Sequence, residues 1–204
     1  MCEVGAGTGN FLSLFSGRAG LLLAADLTPG MLVEARRRWH DMTAICSDGF
    51  RLPFRSGSID LVASAQTLHH IYEPVPFLKE MRRVARSGGR VLVVDQVAPE
   101  NLEKATVRHQ LDVLRDPSHA ATRPASAFRI VMRAAGLRIV DEREVESRSR
   151  LSQWMWPGEF PEERIAAVRD FIERYGDQTG MDWERDGDDW TYKRHRIMLL
   201  AQPA

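Results

Sequence analysis

Acidic residues and histidines recur at the ends of apolar runs in this sequence. Glu3 stands just before Gly5-Ala6-Gly7-Thr8-Gly9, Asp26 closes the apolar run at 20–25, and Asp48 follows the run at 43–46. His69 and His70 lie in a turn after the run at 59–65, and Asp95 ends the run at 90–94. Ionised carboxylates only accept hydrogen bonds, whereas an imidazole can take or give a proton near neutral pH. Glycine at alternate positions makes a turn whose backbone can touch a ligand, because glycine lacks a Cβ and tolerates positive φ. Strand, glycine-rich turn and helix, in that order, is how a doubly wound α/β domain holds a nucleotide-like ligand.

The elements that must position these groups follow from apolar periodicity. A short first strand at 1–4 leads through the glycine turn into a helix at about 10–16, stopped by Gly17. A buried strand at 20–25 ends in Asp26. Asp26-Leu27-Thr28-Pro29 then opens a helix that buries Met31, Leu32, Ala35 and Trp39. Strands follow at 43–46 and 59–65, separated by a loop at 51–58. A helix at about 74–86 carries Val75, Leu78, Met81 and Ala85 on one face. Ser87-Gly88-Gly89 ends it, and 90–95 is a fifth strand. Near-continuous apolar strands alternating with helical patterns predict an α/β fold with a mainly parallel sheet covered on both faces. Such sheets bind ligands at the carboxyl ends of their strands, where the acids and glycines sit.

Beyond Asp95 the rhythm changes. Residues 100–115 read as a helix, broken by Asp116-Pro117-Ser118-His119. A helix at 124–135 buries Phe128, Val131, Met132 and Ala135, and a strand follows at 137–145. The segment 148–160 contains Trp154, Met155, Trp156 and Pro157 and has no clear period. A helix at 161–175 places Ile165, Val168, Ile172 and Tyr175 on one face. Residues 176–189 are polar and loop-like, and 191–201 forms a last strand.

At 204 residues the chain can bury a proper core as one domain. Apolar and charged fractions of 44% and 27% describe an ordinary globular protein, and 28 basic against 28 acidic residues give no electrostatic case for nucleic acid. Nearly all the basic residues are arginine, which reads as composition bias. Cys2 and Cys46 offer neither a disulfide framework nor metal-ligand spacing. Both lie in apolar stretches and read as core thiols, which suits a reducing cytoplasm. No apolar run approaches membrane-spanning length and no leader pattern opens the chain, so a soluble cytoplasmic protein is expected.

Which ligand the turn holds depends on its spacing. A dinucleotide fingerprint needs its third glycine five positions after the first; that position is Asn10, and the third glycine comes early, at Gly9. A phosphate-binding loop is excluded, because no Gly-Lys-Ser/Thr follows. The Gly-x-Gly-x-Gly turn fits S-adenosylmethionine (SAM), which has no pyrophosphate to seat. Asp26 is placed to accept from both ribose hydroxyls and Asp48 from an adenine amino group. Glu3 would brace the loop or meet the cofactor's ammonium.

The stretches Glu3-Val4-Gly5-Ala6-Gly7-Thr8-Gly9, Asp26-Leu27-Thr28-Pro29-Gly30-Met31-Leu32, Ser47-Asp48, Ile59-Asp60-Leu61-Val62, Leu68-His69-His70-Ile71 and Arg86-Ser87-Gly88-Gly89-Arg90 resemble the successive motifs of class I SAM-dependent methyltransferases. They are most similar to the small-molecule branch that includes the ubiquinone/menaquinone-biosynthesis type. The resemblance covers residues 1–96 strongly and continues through 145. It implies a Rossmann-like sheet of seven strands, the last antiparallel, with helices on both faces. It also implies one methyltransferase domain over 1–204, with a cofactor-binding half at 1–96. The substrate-side half at 97–204 would carry an insertion at about 148–190. Family members have helices before the glycine turn that cover the cofactor, and these are expected to be missing here. The cofactor residues implied are Glu3, Gly5, Ala6, Gly7, Gly9, Asp26, Leu27, Met31, Asp48, Gly49 and Ala65.

Methyl transfer is an in-line displacement at a sulfonium, so such an enzyme chiefly aligns nucleophile and methyl group, and a base is needed only if the nucleophile must lose a proton. His69 and His70 are the candidate bases, with hydrogen bonding to their own loop as the plain alternative. Asp95, His119 and Trp154 are candidate substrate-pocket residues. Asp95 could equally cap the next segment, and Trp154, Trp156 and Phe160 could equally form a satellite core. No Cys/His/Asp spacing suggests a metal. Ser64-Ala65-Gln66-Thr67 replaces the Asn/Asp-Pro-Pro-aromatic motif of amino-methylating nucleic-acid enzymes, so the expected partner is a small-molecule methyl acceptor, not nucleic acid or membrane. Two alternatives remain at this point: a SAM-binding subunit of the same fold without turnover, and an NAD-dependent oxidoreductase, against which Asn10 counts.

Overall fold

The computed structural model describes residues 1–155 and 160–204; Trp156, in the aromatic segment above, lies outside the described residues. The strands are β1 (Cys2–Val4), β2 (Leu22–Asp26), β3 (Met42–Cys46), β4 (Ile59–Ala65), β5 (Ala85–Gln96), β6 (Leu137–Arg150), β7 (Glu184–Asp186) and β8 (Asp189–Pro203). The helices are α1 (Pro29–Arg38), α2 (Pro74–Val84), α3 (Leu102–Arg115), α4 (Ala125–Ala134), α5 (Leu151–Trp154) and α6 (Glu162–Tyr175). The sheet has the order β3-β2-β1-β4-β5-β8-β6, with β7 paired to β8. It is mostly parallel with one antiparallel strand, the Rossmann-like arrangement expected, and the β7–β8 hairpin adds an eighth strand to the seven.

The chain divides into two compact units. The first comprises Met1–Asp95, Arg129–Arg143 and Met198–Ala204. Its β1 is central, pairing with β2 on one side and β4 on the other, so the glycine turn leaves from the middle of the sheet. Both neighbours of β1 cover it, which is why three residues suffice: Cys2, Glu3 and Val4 are all buried. Ala6, Leu12, Leu22, Ala24, Leu32 and Met42 form a core cluster beneath the turn.

The second unit comprises Gln96–Phe128 and Glu144–Ile197. Its core gathers Leu111, Leu151, Trp154, Met155, Val168, Ile172, Met181 and Tyr192. Helices α3 and α6 pack together here.

Several local expectations need correction. After the turn there is a four-residue 3₁₀ helix at Leu12–Phe15, not an α-helix over 10–16: the stretch is too short to propagate one, it lacks a side-chain cap, and Gly17 at φ +69° ends it. Met31 is 47% exposed, because α1 turns Leu32 and Ala35 inward instead. Tyr175 is likewise exposed at the end of α6. Cys46 is exposed rather than core, since β3 is the sheet edge. Residues 176–189 are not a simple loop: Thr179 and Met181 are fully buried, and β7 pairs with β8. β6 runs on from the expected 145 to Arg150.

Helix α2 stops at Val84, and Phe77, Leu78, Met81 and Val84 form its buried face; Val75 is only half-buried. The strand starts at once, with Ala85 opposite Ile59, and a bulge then intervenes before Arg90 pairs with Leu61. In that bulge Gly89 sits between two carbonyls: a Cβ there would lie 2.9 Å from both Arg86 O and Asp60 O. Backbone cannot step aside as a side chain can. Gly89→Ala should therefore cost about 1–3 kcal/mol of stability, read as a lower denaturant midpoint with an unchanged slope.

Candidate functional site

The three glycines of the turn have positive φ, at +73°, +53° and +77° for Gly5, Gly7 and Gly9. The space beside them differs. A Cβ on Gly5 would meet Thr67 Cγ2 at 2.4 Å, and one on Gly9 would meet Met42 Sδ and Trp39 Cδ1 at 3.0 Å. A Cβ on Gly7 would meet nothing within 4 Å. Gly5 and Gly9 thus admit protein neighbours, and only Gly7 borders open space.

The turn is fastened on three sides. Gly5 and Ala6 both donate to Ala25 O, at 2.8 and 3.0 Å. Trp39 Nε1 donates to Thr8 O at 3.1 Å. Asp26 accepts from Gly7 N at 2.7 Å through Oδ2 and from Thr28 N at 2.8 Å through Oδ1. The carboxylate expected to face a ribose therefore also holds the turn to the start of α1. Each oxygen keeps a second lone pair for a further donor.

Glu3 is 1% exposed. The Leu12 backbone N–H donates to its carboxyl group, while Oε2 is buried with no hydrogen-bond partner among the described residues. Burial pushes the Glu3 pKa up to about 8, opposed by the Leu12 N–H and reinforced by the charge of Asp26. An acceptor oxygen sealed from water without a donor is costly. A ligand cation or N–H at this oxygen would remove that cost.

The remaining candidates around the turn occupy several environments. Ala6 is buried and Leu27 is 68% exposed. Asp48 is exposed and caps its own turn, accepting from Phe50 N at 2.9 Å. Gly49 serves packing: a Cβ there would meet Phe77 Cε2 at 2.4 Å and Val4 Cγ1 at 3.0 Å. The Ala65 carbonyl accepts from Thr67 Oγ1 at 3.1 Å, and the same hydroxyl reaches Gly5 O at 3.1 Å. Thr67 thus ties the end of β4 to the glycine turn, which motif reading did not single out. Nor did it single out Gln66. Its φ of +54° is a conformation that costs a non-glycine residue about 1–2 kcal/mol, and its Nε2 is buried without a partner among the described residues. No periodicity or spacing encodes either feature.

His69 and Asp95 come together. His69 Nδ1 lies 2.7 Å from Asp95 Oδ1, and His69 N donates to Asp95 Oδ2 at 3.2 Å. Asp95 is fully buried and His69 is 9% exposed. An ionised carboxylate at Nδ1 fixes the proton there and makes Nε2 the basic nitrogen. The His70 ring is 4.2 Å from that of His69.

His119 and Trp154 belong to the second unit, and both are buried. His119 Nε2 is 3.0 Å from Thr122 Oγ1, which donates to Asp112 at 2.7 Å; Asp112 also accepts from Arg108 Nε at 2.9 Å. Trp154 packs in the core cluster beneath Arg115, whose guanidinium lies 4.9 Å from the ring centroid. Among the described residues no group of His, Cys, Asp and Glu could hold a metal ion, and no helix is long and apolar enough to cross a membrane.

Glu3 makes stability depend on pH with a definite sign. Its folded pKa of about 8 lies above the ordinary 4.5. From pH 4.5 to 8 the folded state therefore holds a proton that the unfolded state has lost, and stability falls as pH rises through that window. At about 1.4 kcal/mol per pH unit the loss amounts to several kcal/mol. Urea unfolding of the ligand-free protein should show Glu3→Gln more stable than wild type at pH 8 and little different at pH 4.5. Parallel pH profiles would refute the assignment.

A methyltransferase-domain family model matches residues 2–93. A demethylmenaquinone methyltransferase from Beutenbergia cavernae is 34% identical over 97 residues, covering 48% of this chain and 40% of that protein. One from Mycolicibacterium vanbaalenii is 29% identical over 153 residues, covering 74% and 66%. The chain thus spans less than two thirds of these relatives' length. The solved structure of YcgJ from Bacillus subtilis superposes with a TM-score of 0.90 at 21% identity, covering all of this chain and 91% of that one. Residues 2–93 thus match the methyltransferase domain model, and the chain carries the Rossmann-like fold of the solved YcgJ structure.

Proposed function

We propose that this chain is an enzyme that transfers a methyl group from SAM to a small-molecule acceptor, releasing S-adenosylhomocysteine. The observation that carries the reading is the buried Glu3 Oε2, without a partner among the described residues, in the strand that runs into a glycine turn open at Gly7. SAM carries an ammonium group, and the residues present fit it: an acceptor oxygen, a turn with room for a ligand, and Asp26 with spare lone pairs. Glu3 would take the ammonium, the Gly7 side of the turn the methionine end, and Asp26 the ribose. Asp48 would take the adenine amino group, with Leu27 and Met31 as exposed apolar cover. When bound, SAM supplies an activated methyl group on a cationic sulfonium. The two free thiols suit a reducing compartment.

The chain's own contribution to the reaction is proton handling. His69, held by Asp95, accepts the proton of the acceptor at Nε2, and the carboxylate of Asp95 stabilises the imidazolium that results. Such a base is useful for an acceptor that must lose a proton to become nucleophilic, a hydroxyl or an acidic carbon. A reduced, hydroxyl-bearing relative of demethylmenaquinone, the compound in the names of the two relatives, fits that class.

Titration calorimetry with SAM tests the cofactor assignment. Saturable binding is expected, weakened more than about tenfold in Asp26→Ala through the loss of charge-assisted hydrogen bonds worth about 1.5–3 kcal/mol each. Absence of binding in the folded wild-type chain would sink the reading. In an acceptor screen, His69→Gln should lower kcat by roughly 10²–10⁴-fold while leaving SAM affinity intact. An unchanged kcat would remove His69 from the proton path.

A further inference from the structure

The second unit holds a cation cluster for which the proposed methyl transfer has no use. Tyr192, Arg194 and Arg196 alternate along β8 and so share one of its faces. Arg108, Leu111, Asp112 and Arg115 recur at helical spacing and share one face of α3. Leu111 and Tyr192 lie in the same core cluster, so these two faces meet. Trp154 stands between them: its ring centroid is 5.4 Å from that of Tyr192 and 4.9 Å from the Arg115 guanidinium.

The charges on the two sides of β8 are balanced differently. On the opposite face Lys193 pairs with Asp182 at 2.8 Å, His195 with Glu146 at 3.2 Å, and Arg148 with Glu184 at 2.8 Å. Because Glu146 and Arg148 reach His195 and Thr191, the even-numbered residues of β6 lie on that paired face. On the Tyr192 side β6 therefore offers Val145, Ser147 and Ser149, none of them acidic. On α3, Asp112 is already engaged by Arg108 and Thr122, and Asp116 comes no closer than 4.0 Å to Arg115. Arg194 is half-buried and has no ion pair or hydrogen bond among the described residues. Trp183 Nε1 is a buried donor without an acceptor among the described residues, on a ring 4.7 Å from that of Tyr192. Burial also lowers the Arg115 pKa, opposed by the charges of Asp116 and Asp112, and Arg115 Nε donates to Trp154 O at 3.0 Å, which leaves its two terminal nitrogens for a ligand.

We infer that the second unit binds the carboxylate of a small aromatic acid at Arg194 and Arg115, with Trp183 Nε1 as a neutral donor. The Arg115 guanidinium lies against Trp154 and offers the planar fork that pairs with a carboxylate. Trp154 and Tyr192 are core, but Phe160, whose ring centroid lies 5.8 Å from the Arg115 guanidinium, and Trp183 are half-buried and suit a flat ring on the ligand. The inference stands on residues of the second unit alone and does not depend on SAM.

The test is titration of the full chain with benzoate, followed by tryptophan fluorescence because Trp154 and Trp183 flank the cluster. Saturable binding is expected, weakened about tenfold or more in Arg194→Gln, partly restored in Arg194→Lys, and unchanged in Arg38→Gln on the exposed face of α1. No saturation, an equal response to chloride at matched ionic strength, or unchanged affinity in Arg194→Gln would overturn the inference. Saturable binding of inorganic phosphate with no response to benzoate would overturn the choice of a carboxylate. SAM titration of the same variants reads the first unit separately, so failure of one assignment is distinguishable from failure of the other.

Discussion

The Asp26 carboxylate, held between Gly7 N and Thr28 N, is the constraint on which the glycine turn of the first unit depends. It closes β2, fixes the middle of the glycine turn and anchors the entry to α1 in one group. A charge-assisted hydrogen bond of this kind contributes about twice a neutral one. With both of its oxygens already accepting from backbone, Asp26 is pre-oriented before any ligand arrives. Pre-orientation lowers the ordering cost of binding, which is otherwise taken out of affinity.

What the sequence made legible, and what it did not, follows a physical division. Strands β2 and β4 could be read because burial on both faces leaves a short, near-continuous apolar run, and helix α3 because burial on one face leaves a period in the residue types. The glycine turn could be read because its backbone path needs glycine. Asp26 and Asp48 could be placed because each follows an apolar run of strand length. The 3₁₀ turn at Leu12–Phe15 could not, because the four apolar residues Phe11, Leu12, Leu14 and Phe15 have the same spacing whether they propagate an α-helix or not. The exposure of Cys46 depends on which strand is the sheet edge and that of Met31 on which face α1 turns inward, facts that no local window contains. The His69–Asp95 contact joins residues 26 apart in the chain and exists only because β4 and β5 are neighbours. Thr67 and Gln66 were missed for the same reason, since their roles lie in a crossing loop and a backbone angle.

The second unit shows the opposite use of polar groups. Its interior network through Arg108, Asp112, Thr122 and His119 is satisfied within itself, and satisfied buried networks fix a unique packing. Around Tyr192 the balance is incomplete, with cations on two elements and no matching acids on the facing strand. Burial raises the Tyr192 pKa while the surrounding guanidinium groups pull it down, so the hydroxyl registers both influences. An excess of one charge in a half-buried place costs stability unless something of the other sign completes it.

Glu3 has a consequence beyond stability. A group that holds its proton up to about pH 8 must give it up when a cation settles against it. Ligand capture at this carboxyl would then eject a proton into the surrounding buffer at neutral pH. The heat of the event would vary with the ionisation enthalpy of whichever buffer receives that proton. The chain would be, in effect, a proton-exchanging receptor, and the pH of its surroundings would set how tightly it holds a positively charged guest.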